Sequence, residues 1–241
     1  MDKRGRMIGE FLLIVIGVLV ALAVETALDE RQDDNLRDEY ISRIAADIAG
    51  DKQGIEYRIE FFDGVVGFSK ELLDWMNTDA PVNKNVLLAS FYAAEVWPFV
   101  PNVSTYVDLQ STGNFRLLDD IDFRALLVTY HIQADASRPG WNPSDEYRKV
   151  IRGVIPPEVQ DQIRKNCPTT DALDQRSSGF PPCELTGIDY DRLTELFEPL
   201  RHDATFRQTL TYRNSEMSVV VRLLGQQALI AADIVTMIEA R

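Results

Sequence analysis

Apolar positions between residues 36 and 73 recur at helical spacing. Their steps are mostly three or four residues, with two of seven, which places them on one stripe of an α-helix. Glycines at positions 50 and 54 interrupt the pattern, so we expect either a kink there or a continuous helix held by tertiary packing. Residues 77–83, which include Pro81, end the helix. The stripe consists of Leu36, Tyr40, Ile44, Ile48, Ile55, Ile59, Phe62, Val66 and Leu73.

Three shorter helices follow. The first is predicted over residues 84–96, before the helix-breaking Trp97-Pro98-Phe99-Val100-Pro101. The second covers 105–111, with Asn102 or Ser104 as its N-cap and Gly113 at its end. The third runs from 121 to about 136 behind Asp119-Asp120, which supply its N-cap.

The C-terminal part, about residues 203–241, contains no proline and has an apolar repeat over three heptads. It is either the core of a bundle, packed against the long first helix, or a seam between subunits. Together these patterns predict an all-α fold, an antiparallel helical bundle without a confident β-strand pattern. The repeat is Met217, Val221, Leu224, Ala228, Ala231, Val235 and Ile238.

Residues 139–199 differ in composition, because they contain eight of the 11 prolines and both cysteines. We expect an irregular Pro-rich excursion from the bundle, closed by a disulfide between Cys167 and Cys183. The tight C-x-x-C spacing of a redox pair is absent. The predicted organisation is therefore a tail and transmembrane helix over 1–28, a first helical part over 29–138, the excursion over 139–200 and the last bundle helix over 201–241.

A run without charge occupies residues 11–24, and it extends to 7–28 with only Glu10 and Glu25 as interruptions. About 20 mostly apolar residues cross a bilayer as a helix, whereas roughly 10 to 14 are typical of a signal-peptide core. Ala21-Leu22-Ala23 satisfies a signal-peptidase cleavage rule. Glu10 before the core and the unbroken helical pattern after Ala23 favour an uncleaved membrane anchor.

Within the anchor, Gly17 and Ala21 form a small-xxx-small pair that lets helices approach closely in lipid. Glu10 is either an interfacial carboxylate or a polar contact to a partner helix. Three bases, Lys3, Arg4 and Arg6, precede the run and favour a cytoplasmic N-terminus. The remainder would then lie outside the cytoplasm, which we expect to be the periplasm of a bacterium with the anchor in the inner membrane.

The net charge of −13 argues against nucleic-acid binding, which depends on Lys and Arg contacts to phosphates. Residues 25–63 alone hold 12 acids and five bases. This acidity is either a solvated helix face or a docking surface for a basic protein partner. The expected partners are the lipid bilayer and either another protein or a second copy of the chain.

No motif for catalysis or cofactor binding is present, since the sequence lacks a G-x-S-x-G elbow, an H-E-x-x-H pair, a P-loop and Rossmann glycines. A hydrolase could use His131, or His202 with Asp203. Asp119, Asp120 and Asp122 could bind a metal, but acids at a helix start are commonly caps. We expect a protein that is not an enzyme and binds no cofactor or metal.

The segment GEFLLIVIGVLVAL, residues 9–22, resembles the start of a family of bacterial single-span membrane proteins of unknown function, which reads roughly G-E-I-x-L-V-V-I-G-I-L-I-A-L. Glu39-Tyr40-Ile41 and Asp47-Ile48 are similar to positions in the charged helix that follows. Residues 105–131 resemble a second block, a short helix ending in S-G and a helix ending in L-x-x-Y-Y. This sequence departs from the family at Thr26-Ala27-Leu28, where members often carry an aromatic residue just after the span, and His131 replaces the second tyrosine. The resemblance implies the topology of a single span with an external helical part.

Three functions follow as hypotheses. The first is an accessory or interaction subunit of a larger membrane complex. The second is an anchored ligand-sensing ectodomain that signals through a partner. The third is a self-assembling structural membrane protein.

Overall fold

The computed structural model describes residues 3–141, 146–167 and 183–240, without the side chains of 3–10 and 138–141. This part of the chain is helical and contains no strand, which confirms the predicted all-α class. Its eight α-helices are α1 (Lys3–Trp75), α2 (Lys84–Tyr92), α3 (Ser104–Thr112), α4 (Ile121–Trp141), α5 (Glu146–Val154), α6 (Pro157–Asn166), α7 (Tyr190–Arg201) and α8 (Ala204–Glu239).

Helix α1 runs without a break through Gly50 and Gly54, so the structure agrees with a continuous helix at these glycines. The predicted stripe is its buried face, because six members are less than 9% exposed and the other three are half-buried. Burial of this face outweighs the cost of about 1 kcal/mol for each glycine. The six are Tyr40, Ile44, Ile48, Ile55, Phe62 and Val66.

The short helices differ from the predictions at their ends. Helix α2 ends at Tyr92 and not at 96, and Ala93 is its C-cap. The N-cap of α3 is Val103, whose side chain cannot accept a hydrogen bond, so the expected polar cap is wrong. Its C-cap is Gly113 with φ 74°, as predicted, because this left-handed conformation favours glycine.

The excursion predicted to be irregular is largely helical where the structure describes it. Three helices, α5, α6 and α7, lie within it. The prolines explain the error, since Pro157 occupies the first turn of α6, where its missing N–H costs nothing. Pro199 lies near the end of α7. Residues 168–182, the centre of the predicted excursion, lie outside the described residues.

The chain divides into two compact units. The first comprises Met1–Asp47 and Val103–Arg124. In it α3 is followed by a 3₁₀ turn, Asn114–Leu117, and the rings of Tyr106 and Phe115 pack edge to face at 5.6 Å. The Asn114 side-chain amide donates to the Tyr40 hydroxyl at 3.0 Å, which ties the turn to α1.

The second unit comprises Ile48–Asn102 and Ala125–Arg241. It has a hydrophobic cluster formed by the end of α1, by α2, α5, α6 and α7, and by the start of α8. Another cluster joins side chains of α1 between positions 55 and 66 to Phe99, Ala134 and the middle of α8. These two clusters fix α8 as a core helix of this unit.

Helix α8 begins at its N-cap Asp203, whose carboxylate accepts the backbone N–H groups of Thr205 at 2.7 Å and Phe206 at 3.4 Å. Its buried residues follow alternating steps of four and three, so one face is covered along most of its length. Two of these buried residues, Arg213 and Gln227, are polar. The buried residues are Phe206, Leu210, Arg213, Met217, Val220, Leu224, Gln227, Ala231 and Ile234.

Candidate membrane anchor and membrane-proximal surface

The most unusual surface of the chain is the apolar part of α1, residues 11–24. Every residue in it is exposed except the half-buried Val15, and Leu13 reaches 74%. Soluble monomers rarely expose a contiguous apolar patch of this extent. Residues 7–28 span about 33 Å as a helix, which matches the roughly 30 Å hydrocarbon core of a bilayer.

Two helices within the described residues are long and apolar enough to cross a membrane by length and composition. They differ in burial, because none of the apolar window near the N-terminus is buried whereas 28% of the window in α8 is. The buried face of α8 includes Arg213 and Gln227 and belongs to both clusters of the second unit. The window in α1 is therefore the better candidate for a membrane segment.

The residues predicted for helix packing in lipid lie in this exposed part of α1. A Cβ atom added at Gly17 would meet nothing within 4 Å, and Ala21 is exposed. Glu10 belongs to α1, and its side chain lies outside the described residues. Within the described chain nothing covers the Gly17–Ala21 face.

Beyond the apolar segment, the acidic part of α1 forms charge pairs within the first unit. Arg116 makes two hydrogen bonds with the Asp33 carboxylate, one of 2.9 Å between Nη2 and Oδ1. Arg37 lies 3.0 Å from Asp34 and 3.4 Å from Asp119. Hydrogen bonding to Arg116 keeps the pKa of Asp33 below its ordinary value.

A third arginine joins α1 to α3 in the same unit. Nη1 of Arg43 lies 3.0 Å from the Asp108 carboxylate, which also accepts the Tyr40 hydroxyl at 3.3 Å. The Arg43 and Asp108 side chains are 40% and 35% exposed, so this pair contributes at most about 1 kcal/mol. Arginines of the same chain thus pair with some of the acidic side chains of α1. The side chains of Asp38 and Glu39 nevertheless remain 78% and 64% exposed.

The two cysteines lie at disulfide distance, as predicted. The Cα atoms of Cys167 and Cys183 are 4.8 Å apart and both residues are buried. The carbonyl of Cys167 accepts the Tyr92 hydroxyl at 3.0 Å, which connects the pair to α2. The pair therefore belongs to the core of the second unit.

Three members of the predicted C-terminal seam lie on the buried face of α8, whereas that face contains Val220, Gln227 and Ile234 in place of Val221, Ala228 and Val235. Met217, Leu224 and Ala231 have no measurable exposure. The half-buried members are Val221, Ala228, Val235 and Ile238. Of the two interpretations left open by the sequence, burial in the chain's own core accounts for the first three without a second subunit.

Of the two histidines considered for hydrolysis, His202 lies beside a carboxylate other than Asp203. The Nε2 atom of His202 lies 3.1 Å from Glu198, while Asp203 caps α8. His131 is 8% exposed, with its ring 5.1 Å from that of Tyr130.

The acids considered for a metal lie at the start of α4, where Asp120 accepts the Phe123 N–H at 3.0 Å. This contact makes Asp120 the N-cap that the sequence predicted. Among the described residues there is no group of three or more His, Cys, Asp or Glu able to hold a metal ion.

Sequence reasoning missed a buried polar network in the second unit. The Asp51 carboxylate accepts the Tyr130 hydroxyl at 2.8 Å and the Asn102 N–H at 2.9 Å. The Gln227 amide donates to the Tyr130 carbonyl at 3.0 Å. Burial, followed by the charge of Asp51, raises the pKa of Tyr130. The sequence contained one signal for this network. Gln227 is a polar residue at a position that the apolar spacing of α8 places on the buried face.

Buried arginines were missed as well. Arg213 is 2% exposed and donates to the carbonyls of Ala93 at 3.1 Å and Glu95 at 2.7 Å. Arg152 pairs with the Glu95 carboxylate, and burial lowers the pKa of Arg152 to about 10. Arg213 therefore satisfies two carbonyl groups of the segment that follows α2.

Protein families, curated proteins and solved structures were each compared with the chain, and none matches.

Proposed function

We propose that this chain is a membrane-anchored protein without enzymatic activity, whose helical ectodomain acts as an interaction or accessory subunit of a larger membrane complex. The observation that carries the proposal is the uncovered apolar segment of α1. Between positions 11 and 28 it exposes eleven large hydrophobic side chains. Their transfer into lipid is worth roughly 10 kcal/mol or more.

The proposed topology places the N-terminus in the cytoplasm of a bacterium, the anchor in the inner membrane and the remainder in the periplasm. Lys3, Arg4 and Arg6 support it through the positive-inside rule. The cysteine pair at disulfide distance supports it as well, because disulfides persist in oxidising compartments. The proposed relatives are the single-span family that residues 9–22 and 105–131 resemble.

The order of contacts in the second unit supports an antiparallel bundle. The guanidinium of Arg207, early in α8, donates to Asn77 Oδ1 at 3.0 Å, just after the end of α1. Farther along α8, Met217 and Leu224 share a cluster with Ile55 and Phe62. Positions along α8 rise as those along α1 fall.

Two surfaces of α1 support the interaction role, the acidic surface that follows the apolar segment and the Gly17–Ala21 face. Asp38 and Glu39 on α1 lie 3.8 and 3.9 Å from arginines of the same chain, but their side chains stay 78% and 64% exposed, which suits a basic partner surface. The uncovered Gly17–Ala21 face suits a partner helix in lipid.

A pull-down of the full-length protein from native membranes in mild detergent tests this proposal, with the co-purifying chains identified by mass spectrometry. We expect a reproducible partner at stoichiometric level. Recovery of the protein alone would contradict the accessory role.

A matched pair of variants locates the partner contact. Ala21→Leu adds bulk on the Gly17–Ala21 face, whereas Ala23→Leu makes the same change about 200° around the helix. We expect the first to reduce the recovered partner at least about fivefold and the second to leave it unchanged. Equal recovery from both would exclude this face as the contact.

Two alternative functions remain. Self-assembly is less well supported at the C-terminal seam, because Met217, Leu224 and Ala231 are buried inside the chain. It would depend on the Gly17–Ala21 face, and the same pull-down would then recover only copies of this chain. Ligand sensing is favoured by one observation, a cavity of about 230 Å³ between α5 and α8.

A further inference from the structure

The first unit contains a cavity of about 170 Å³ just beyond the apolar segment of α1. One wall is α1 itself, from Glu30, two residues after Leu28, to Arg37, two turns farther along the helix. The other wall consists of the 3₁₀ turn and the residues before α4. The charged residues of the lining are Glu30, Asp33, Asp34, Arg37, Arg116 and Asp119.

The arginines of this cavity keep N–H groups for a ligand. Within the described chain Arg116 makes two hydrogen bonds, both with the Asp33 carboxylate, and its side chain is 63% exposed. Three of its five N–H groups are therefore left for another acceptor. The Arg37 side chain is 32% exposed and lines the same cavity. Because arginine binds phosphate oxygens with paired N–H groups, a phosphate would meet two suitable donors here.

Carboxylates of the same cavity are open to a cation. Among the described residues the lining contains four acids and two arginines. Glu30 is exposed and has no hydrogen-bond or ion-pair partner within the part of the chain that the structure describes. Asp34 and Asp119 share Arg37, and their side chains are 62% and 79% exposed. A primary ammonium group can therefore pair with carboxylates here without displacing an arginine.

The position of the cavity along α1 matches the headgroup layer of a bilayer. A bilayer is about 40–45 Å thick with its headgroups and its hydrocarbon core about 30 Å, so each headgroup layer is roughly 5–8 Å deep. With residues 7–28 in hydrocarbon, Glu30 lies about 3 Å and Asp33 about 7–8 Å beyond the end of the core. The cavity is thus at the height of lipid headgroups.

We infer that this cavity binds the headgroup of phosphatidylethanolamine, which joins a phosphate to a primary ammonium group. The phosphate accepts hydrogen bonds from Arg116 and Arg37, and the ammonium group donates to Glu30. The volume is below the roughly 300–1,000 Å³ of pockets for drug-sized ligands, which suits a headgroup whose acyl chains stay beside the apolar segment. This inference rests on the proposed membrane anchor, which sets the height of the cavity.

Native mass spectrometry of the full-length protein in detergent, titrated with one lipid at a time, tests the headgroup preference. Dioleoyl phosphatidylethanolamine is compared with dioleoyl phosphatidylcholine and dioleoyl phosphatidylglycerol, so that the acyl chains are identical. We expect the ethanolamine lipid to bind at least about tenfold tighter than the other two. The choline group has no N–H to donate, and the glycerol headgroup has no cation to pair with the excess carboxylates.

Equal affinity for the three lipids, or tightest binding of the glycerol lipid, would overturn the headgroup site and leave the anchor intact. Binding of none of the three would contradict the anchor and this inference together. Soluble glycerophosphoethanolamine is the control for the source of the headgroup. We expect it to bind far more weakly than the lipid, and equal affinity would show that the cavity takes a soluble ligand instead.

Variants connect the preference to this cavity. Glu30→Gln removes one carboxylate, and we expect it to weaken binding of the ethanolamine lipid about tenfold while binding of the choline lipid is unchanged. Arg116→Gln is expected to weaken binding of the ethanolamine lipid about fivefold. Glu39→Gln and Arg31→Gln make the same changes at exposed positions of α1 outside the lining and should leave it unaltered. Unchanged affinity in both cavity variants would refute the site.

Discussion

Asp51 and Tyr130 illustrate how single polar residues hold the second unit together. Their bond of 2.8 Å is buried, and the carboxylate also accepts the Asn102 N–H. A hydrogen bond to a charged group contributes more than a neutral one, because the low local dielectric strengthens it.

Tyr130→Phe is therefore expected to lower the free energy of unfolding by about 1–3 kcal/mol. Tyr212→Phe, the same change on an exposed side chain, should stay within about 0.5 kcal/mol. Urea unfolding of the full chain in detergent, followed by circular dichroism, measures both. Equal midpoints for the two variants would show that the buried bond is dispensable.

Tyr92 makes the free energy of unfolding depend on pH in the alkaline range. Burial, followed by the charge of Glu95, raises the pKa of Tyr92 from 10.0 to about 12. A raised pKa means that the folded state favours the neutral phenol, so its contribution is complete below pH 10 and is lost as pH rises toward about 12.

One proton corresponds to about 1.4 kcal/mol per pH unit, and Tyr92→Phe should flatten the decline of stability between pH 10 and 12 by up to that slope. The lowered pKa of Arg152 acts in the opposite direction, but it is common to both proteins and cancels in the difference. Parallel stability curves for the two proteins over this range would disprove the burial effect.

At the scale of elements, two glycines have opposite roles. Gly50 lies exposed within α1, and an added Cβ would meet nothing within 4 Å. Gly113 ends α3 with φ 74°. We expect Gly50→Ala to raise the free energy of unfolding by about 0.5–1 kcal/mol and Gly113→Ala to lower it by about 1 kcal/mol or more. Thermal unfolding of both variants tests the signs, and destabilisation by Gly50→Ala would argue against a regular helix at that position.

The cysteine pair joins the end of α6 to the segment that leads to α7. Sixteen positions separate Cys167 from Cys183, so closure of this loop is expected to contribute about 3 kcal/mol. Reduction of the folded protein should lower its melting temperature by several degrees. The double variant Cys167→Ser, Cys183→Ser should melt at the lower temperature with or without reductant. A reductant effect that persists in the double variant would contradict the assignment.

Much of this element structure could be predicted from periodicity, because burial of one helix face leaves a repeat in the sequence. The stripe of α1 and the buried positions Met217, Leu224 and Ala231 of α8 are of this kind. Composition alone does not predict α5 to α7, because a proline-rich stretch is typical of irregular structure, whereas Pro157 starts a helix. The network around Asp51 joins residues distant in sequence, and both cavities depend on tertiary packing, so periodicity alone does not place these residues together.

At the scale of the whole molecule, the chain has an uncovered apolar segment in α1 and a second unit with two hydrophobic clusters. The exposed surface between positions 11 and 24 could not persist in water without association. The second unit, in contrast, buries its apolar residues in two clusters, and its buried Arg213 donates to the carbonyls of Ala93 and Glu95. This difference separates the segment that we propose as the membrane anchor from the part that folds around its own core.

The most direct test of the central claim is extraction of membranes with alkaline carbonate after expression of the full chain. We predict that the protein stays in the membrane pellet, because the apolar segment of α1 is embedded. Leu13→Arg combined with Leu19→Arg should release it, since each arginine costs about 2.5–3.5 kcal/mol in the hydrocarbon. Gln32→Arg combined with Asn35→Arg, on exposed positions of the same helix, should leave it in the pellet. Release of the unaltered protein into the supernatant would contradict the account.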